Sequence, residues 1–183
     1  MPRIPYPSLA GLAPSAKAIV DRSPINITRM LAGASGAISS GFAEFGSAFY
    51  TSSELPLALR EIAILRVGYL CHSHYETFHH EACARALGMT DAQMAAIRTG
   101  RPEPGIFDAC EQTVVDFTSD VVLNVRPTDE TLGAVRRCLS DRCVLDLMLL
   151  IGCYICVCIL LETTGVELDE APLEWTKSEL MKR

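Results

Sequence analysis

Residues 56–88 read Pro56-Leu-Ala-Leu-Arg-Glu-Ile-Ala-Ile-Leu-Arg-Val-Gly-Tyr-Leu-Cys-His-Ser-His-Tyr-Glu-Thr-Phe-His-His-Glu-Ala-Cys-Ala-Arg-Ala-Leu-Gly88. All four histidines of the 183-residue chain fall here, at 72, 74, 79 and 80. The stretch reads as a helix, with a kink near Gly68 to Ser73 left open. Pro56 suits a first turn, Ser53 is a candidate cap upstream, and Gly88 is a plausible stop. On a helix, Glu76 and His80 stand at i,i+4 and share a face. His72 extends that stripe by a turn, Ser73 lies close to Glu76, and His79 borders it. Glu61 is about three turns before Ser73. It can approach His80 only if the helix bends at Gly68 or breaks near Cys71.

An imidazole beside a buried carboxylate is a general acid/base pair. The acid orients the ring and raises its pKa, and the ring then carries a proton near neutral pH. Pairs of this kind are also common on solvated helix faces. Here the flanks are apolar: Ile62, Leu65, Val67, Tyr69 and Leu70 before, Ala82, Cys83, Ala86 and Leu87 after. Polar groups in such a helix are costly to bury unless they pair, which suits a pocket better than a surface.

The length fits one domain with a sizeable core. Apolar residues make up 49% and charged residues 21%, which predicts apolar surface buried between subunits. The net charge of −6 comes without a basic run, so nucleic acid is not an expected partner. The opening Met1-Pro-Arg-Ile-Pro-Tyr-Pro has no apolar leader. The eight cysteines lie in apolar helical contexts and read as reduced core thiols, so a cytoplasmic location is expected. Residues 144–161 are long and apolar enough for a membrane span. Asp146 interrupts them and no basic cluster flanks them, so a buried or interface helix, with no membrane role, is the expectation.

Along the chain, residues 1–24 are proline-rich and read as an extended arm. Residues 25–50 carry Ile27, Met30, Leu31, Ala34, Ile38, Phe42, Phe45 and Phe49 at helical spacing, broken by glycines. A turn follows at 51–55. After the central helix, Thr90 caps a short helix to Thr99. Residues 107–123 form another. Thr128 caps the next, and Ser140-Asp141 starts a long last helix stopped by Gly165. The tail, 171–183, follows a domain spanning 25–170 and holds the only tryptophan, Trp175. No strand pattern appears.

Other chemistry is weaker. Cys153-Tyr-Ile-Cys156-Val-Cys158 has redox-like spacing, but its neighbours favour core packing. Cys71, His72, His74, His79 and His80 could suggest a metal, yet one helix cannot point them all at one ion. No metal and no cofactor is expected. Phosphate loops and hydrolase elbows are absent.

The segments Leu59-Arg-Glu-Ile-Ala-Ile-Leu-Arg-Val, Tyr75-Glu-Thr-Phe-His-His80 and Ala86-Leu-Gly-Met-Thr90 resemble the carboxymuconolactone decarboxylase family, within the wider alkylhydroperoxidase D-like group. So do the stretch from Leu139 and the closing Gly165-Val-Glu-Leu-Asp169. The resemblance implies an all-α, alkylhydroperoxidase D-like helical bundle that is an obligate homo-oligomer, a trimer or hexamer. The Glu, two cysteines and His of the peroxidase branch fall here on Glu61, Ser73, Glu76 and His80. Both redox cysteines are therefore missing, and Cys71 is two residues out of register. One thiol cannot form and resolve an internal disulfide.

The decarboxylase-like branch fits better and implies cofactor-free chemistry on a small carboxylated lactone or aromatic-catabolism intermediate. His80, Glu76 and Glu61 are the expected catalytic groups. Tyr75, His79, His74, Ser73 and Arg66 are candidates for contact with substrate. Arg66 or Arg60 could anchor a carboxylate, although a salt bridge to Glu61 or a surface role competes. Three readings remain: a lyase, a peroxidase-related antioxidant protein, and a non-catalytic helical oligomer that binds a small ligand.

Overall fold

The computed structural model describes residues 1–173, which form helices and no strands. The expected tail at 171–183, with Trp175, lies beyond the described residues except for 171–173. The start is not an extended arm throughout. After a single 3-10 turn at Leu9–Gly11, α1 occupies Pro14–Arg22. Pro14 takes the first helical position, where its missing N–H is no loss, and Ala16, Ile19 and Val20 turn inward. The glycine-rich region that follows divides as expected, into α2 (Asn26–Leu31) and α3 (Gly36–Thr51).

The stretch from Pro56 to Gly88 is two helices rather than one. α4 spans Leu57–Leu70 and α5 spans His74–Ala86. Pro56, not Ser53, precedes the first turn; Ser53 instead donates to Asp146 Oδ2 at 2.6 Å and accepts from Leu55 N. The break is a Schellman stop. Ser73 N–H reaches Gly68 O at 2.9 Å and His72 N–H reaches Tyr69 O at 3.2 Å. His72 takes the left-handed conformation, φ 54°, that this motif requires. Gly68 then allows α5 to fold back closely. A β-carbon there would stand 3.2 Å from Thr77 Cγ2 and 3.3 Å from Glu76 Cβ.

Every residue of α4 from Leu59 to Gly68 is buried, so this helix is core on all sides. It packs against α5, α6 (Asp91–Thr99), α7 (Ala109–Asn124) and α9 (Asp141–Thr164), with α8 (Asp129–Cys138) closing over α7. Ile62, Leu65, Val67, Phe117, Leu147 and Ile151 are sealed in one cluster. Truncating Leu65 to Ala there removes about 2–5 kcal/mol. Thr90, Thr128 and Ser140 cap their helices as expected, and Gly165 ends α9 in the left-handed region. The start of α7 is set by a cap the sequence reading missed, Asp108, in a reciprocal box with Glu111.

α9 is long and apolar enough by composition to cross a membrane, but half of its most apolar window is buried within the fold. Its inward face carries Val144, Leu147, Leu150, Ile151, Tyr154, Val157 and Cys158. Leu145, Met148, Leu149 and Ile159 form an exposed apolar stripe on the other side. Cys153 and Cys158 pack inward as expected, while Cys156 faces out.

Candidate functional site

The break between α4 and α5 turns two helices of one stretch face to face. This brings Glu61 to His80, which a straight helix forbids. His80 Nδ1 lies 2.7 Å from Glu61 Oε2, while Nε2 lies 3.5 Å from Glu76 Oε2. The carboxyl groups are almost completely enclosed, 1% and 6% exposed at their side chains, and the ring is 13% exposed. The imidazole is thus held between two acids, tightly by Glu61 and loosely by Glu76. The expectation that Glu76 is the principal orienting acid is corrected: the bend gives that place to Glu61. Glu76 Oε2 makes no hydrogen bond, because the approach from His80 is too long for one.

The electrostatics follow from that geometry. Burial alone would lower His80, but Glu61, through charge and hydrogen bond, and then Glu76 outweigh it and raise the ring above its usual value. Burial pushes Glu76 up to about 7, with His80 opposing and Glu61 assisting. Both shifts run upward in one enclosed site, and paired titratable groups of this kind suit acid/base chemistry.

Aromatic groups close the site. Tyr154 from α9 meets the His80 ring edge-to-face, with centroids 5.2 Å apart. Its hydroxyl is 2.7 Å from that of Tyr50. Burial raises both phenols well above their usual range, so they remain neutral hydroxyls. Arg60 stacks over Tyr50 at 4.8 Å and donates to Phe49 O. The sequence reading missed Tyr154 and Tyr50. Their only signal was a phenol set inside an otherwise apolar run.

The remaining candidates separate. Ser73 is buried beside this site, and its Oγ makes no hydrogen bond. Tyr75 and His79 face another way. The Tyr75 hydroxyl donates to Asp169 and accepts from Ile27 N–H at 3.2 Å. His79 Nε2 is 3.1 Å from Asp169 Oδ2, and its Nδ1 accepts from Leu173 N–H at 3.0 Å. These two residues bind the C-terminal segment and do not reach His80's carboxyl pair. His74 is exposed at the start of α5.

Arg66 is not a substrate anchor, a surface residue or a partner of Glu61. It is buried and donates to Ile97 O and Arg98 O at 2.9 Å and to Ser119 Oγ at 2.8 Å. A cation at the end of α6 satisfies carbonyls that the helix leaves open.

An open groove of about 800 Å³ runs over the α4–α5 break, lined by Gly68, His72, Ser73, Thr77 and the side chains of Arg85 and Arg98 among others. A smaller depression near Pro7 and Gly36 contains no titratable group. The five residues considered for a metal do not converge: His72 and His74 are exposed and His79 is engaged by Asp169. A different set does, since Glu61, His80 and Cys83 bring one ligand atom each within 4.8 Å of one another. An oxygen, nitrogen and sulfur donor set of this kind suits a divalent cation such as zinc.

No family model matches the sequence, and no curated protein does. Solved structures do match. One is described as an alkylhydroperoxidase AhpD core, an uncharacterized peroxidase-related protein from Ralstonia eutropha. It aligns with a TM-score of 0.77 at 16% identity, over 92% of this chain and 93% of that one. An uncharacterized peroxidase-related protein from Silicibacter gives 0.74 at 15%, over 92% of each. An Agrobacterium tumefaciens protein of unknown function, described as a putative antioxidant defence protein, gives 0.65 at 14%, over 70% of this chain and 88% of that one. The fold is the all-helical, alkylhydroperoxidase D-like bundle.

Proposed function

We propose that the chain is a cofactor-independent lyase of the carboxymuconolactone decarboxylase type, acting on a small carboxylated lactone or a related aromatic-catabolism intermediate. The observation that carries this reading is the imidazole of His80 between two enclosed carboxyl groups, one at 2.7 Å and one at 3.5 Å. Glu61 fixes the ring by accepting from Nδ1. The Nε2 edge, toward Glu76, is left to move a proton.

In such a reaction the bond from carbon to the leaving carboxylate breaks, and carbon dioxide departs. The electron pair stays behind as a dienolate. An imidazolium stabilises that charge and then protonates the carbon. Glu76, raised to about 7, returns the proton to the ring. Arg85 and Arg98 stand at the rim of the groove, where each is paired with Glu81, at 3.3 and 3.2 Å.

Self-association as a trimer or hexamer belongs to the same proposal. Its support is the exposed stripe of Leu145, Met148, Leu149 and Ile159 on α9, and size-exclusion chromatography with light scattering tests it.

The functional test is a panel of carboxylated lactones and aromatic-ring-cleavage products, followed by product mass, with metal content measured on the same sample. A substrate that loses carbon dioxide with wild-type protein and not with His80→Ala supports the reading. Turnover unchanged in His80→Ala and Glu61→Gln overturns it. Turnover that tracks bound metal would instead assign the Glu61, His80 and Cys83 donors to a cation.

A further inference from the structure

Glu61, His80 and Cys83 are the one group among the described residues whose ligand atoms, an oxygen, a nitrogen and a sulfur, all lie within 4.8 Å of one another. They come from two elements. Glu61 is on α4, while His80 and Cys83 stand at i,i+3 on α5 and so share a face. All three are shielded. Glu61 is 1% exposed and Cys83 2%, and the His80 side chain, the most open of them, is 13% exposed.

A second observation points to an ion. Glu76 is 5% exposed, its Oε2 makes no hydrogen bond, and that oxygen lies 3.5 Å from His80 Nε2. Among the described residues, neither Glu61 nor Glu76 pairs with an arginine or lysine, and each meets only His80. Two enclosed carboxyl groups and a thiol thus surround one imidazole, which carries at most a single positive charge. Burying that much acid without a matching cation is costly.

We propose that this cluster is a zinc site, in which Glu61, His80 and Cys83 are the ligands and the Glu76 carboxylate supplies further negative charge beside them. The donors decide the ion. Magnesium and calcium take about six or more oxygen ligands, which this cluster lacks, while zinc accepts sulfur, nitrogen and oxygen together in a four-coordinate shell. Two donors on a tetrahedral zinc stand roughly 3.3–3.7 Å apart, so spacings inside 4.8 Å close with small side-chain movements. Binding expels the proton held between His80 and Glu61 and the thiol proton of Cys83, which burial and the two acids otherwise retain. The ion takes the atoms that the lyase uses to move its proton, so zinc and proton transfer exclude each other. That consequence alone rests on the lyase reading; the site itself does not.

The test loads chelator-treated, reduced full-length protein with zinc at pH 7. Equilibrium dialysis with elemental analysis counts the ions, and zinc X-ray absorption counts the sulfurs. The expected result is one zinc per chain, with one sulfur at about 2.3 Å and nitrogen or oxygen in the rest of the shell. No bound zinc, or a shell with no sulfur or with several, overturns the proposal in wild-type protein, whatever the variants do. Cobalt(II) in place of zinc should give a sulfur-to-metal charge-transfer band that Cys83→Ser abolishes. Cys83→Ser and His80→Ala should each weaken zinc more than about 100-fold, past the range for a residue that only orients a ligand, and Glu76→Gln about 10–100-fold. Cys138→Ser and Cys156→Ser, at exposed thiols, should bind as wild type, and a band lost in either overturns the assignment. Zinc bound by a chain that decarboxylates nothing in the panel sinks the lyase reading alone. A working lyase that binds no zinc sinks this site alone. Turnover that persists at full zinc occupancy overturns the exclusion.

Discussion

His79 and His80 are adjacent on α5, and each faces a carboxylate, yet they do opposite things. His80 points into the bundle, 2.7 Å from Glu61, and is raised. His79 points along the other face toward Asp169, and burial outweighs that acid to lower it. One imidazole is poised to hold a proton near neutrality. The other stays neutral and accepts the Leu173 N–H at Nδ1. A helix turns about 100° per residue, so neighbours in sequence enter separate environments. Chemistry follows the environment, not the residue type.

The largest expected effect breaks that contrast directly. His80→Ala lowers turnover by about 10²–10⁴-fold, the range for losing a positioned acid/base group. His79→Ala leaves turnover within a few-fold. Steady-state rates on whichever substrate the panel identifies check both. The next comparison exchanges the acids. Asp169→Asn weakens three bonds that hold the C-terminal segment and costs about 1–3 kcal/mol in urea unfolding. Glu61→Gln acts mainly on turnover. A large rate loss in Asp169→Asn with normal stability would reverse the assignment.

The pH dependence sharpens the same contrast. A raised His80 contributes stability that is complete below its ordinary value of 6.5 and fades as pH rises through its folded value. Glu76, raised from 4.5 to about 7, acts in the same direction, so stability falls as pH climbs between those values. A lowered His79 does the reverse, because the unfolded chain binds the proton more readily, and stability falls as pH drops below 6.5. Glu76→Gln should flatten the loss on the neutral side. His79→Gln should flatten the loss on the acid side. Thermal melts from pH 4.5 to 8 distinguish them.

Smaller effects come from what places the two rings. Gly68→Ala forces α5 away from Thr77 Cγ2 and Glu76 Cβ and should destabilise by about 1–3 kcal/mol, as overpacking does. His72→Gly should stabilise by up to about 1 kcal/mol, since glycine takes a left-handed conformation without strain. Both are read from denaturant midpoints.

How much the sequence disclosed is visible at two helix ends. α5 stops with Met89 N–H on Ala84 O and Gly88 N–H on Arg85 O, with Gly88 at φ 94°. That glycine made the stop readable. α4 stops with the same pair of bonds, but the left-handed position is occupied by His72. No glycine marks it, so the sequence offered a kink near Gly68 to Ser73, or a break near Cys71, only as the condition under which Glu61 reaches His80. The helical class, the caps at Thr90, Thr128 and Ser140, and the Glu76–His80 face were all local features and were legible. Tyr154 on His80 and Asp169 on His79 are contacts between distant segments. Helical periodicity carries no information about them. Arg66 shows the converse, since an arginine in a motif-rich stretch reads as a ligand-binding group until its backbone partners are seen.

Asp169 takes one bond from Asn26 N–H at 3.0 Å and shares its other oxygen between Tyr75 and His79. Three segments remote along the chain are thus fastened by a single carboxylate. Their amides should exchange with deuterium as one cooperative unit, so that Asp169→Asn would release the amides of Asn26 and Leu173 together.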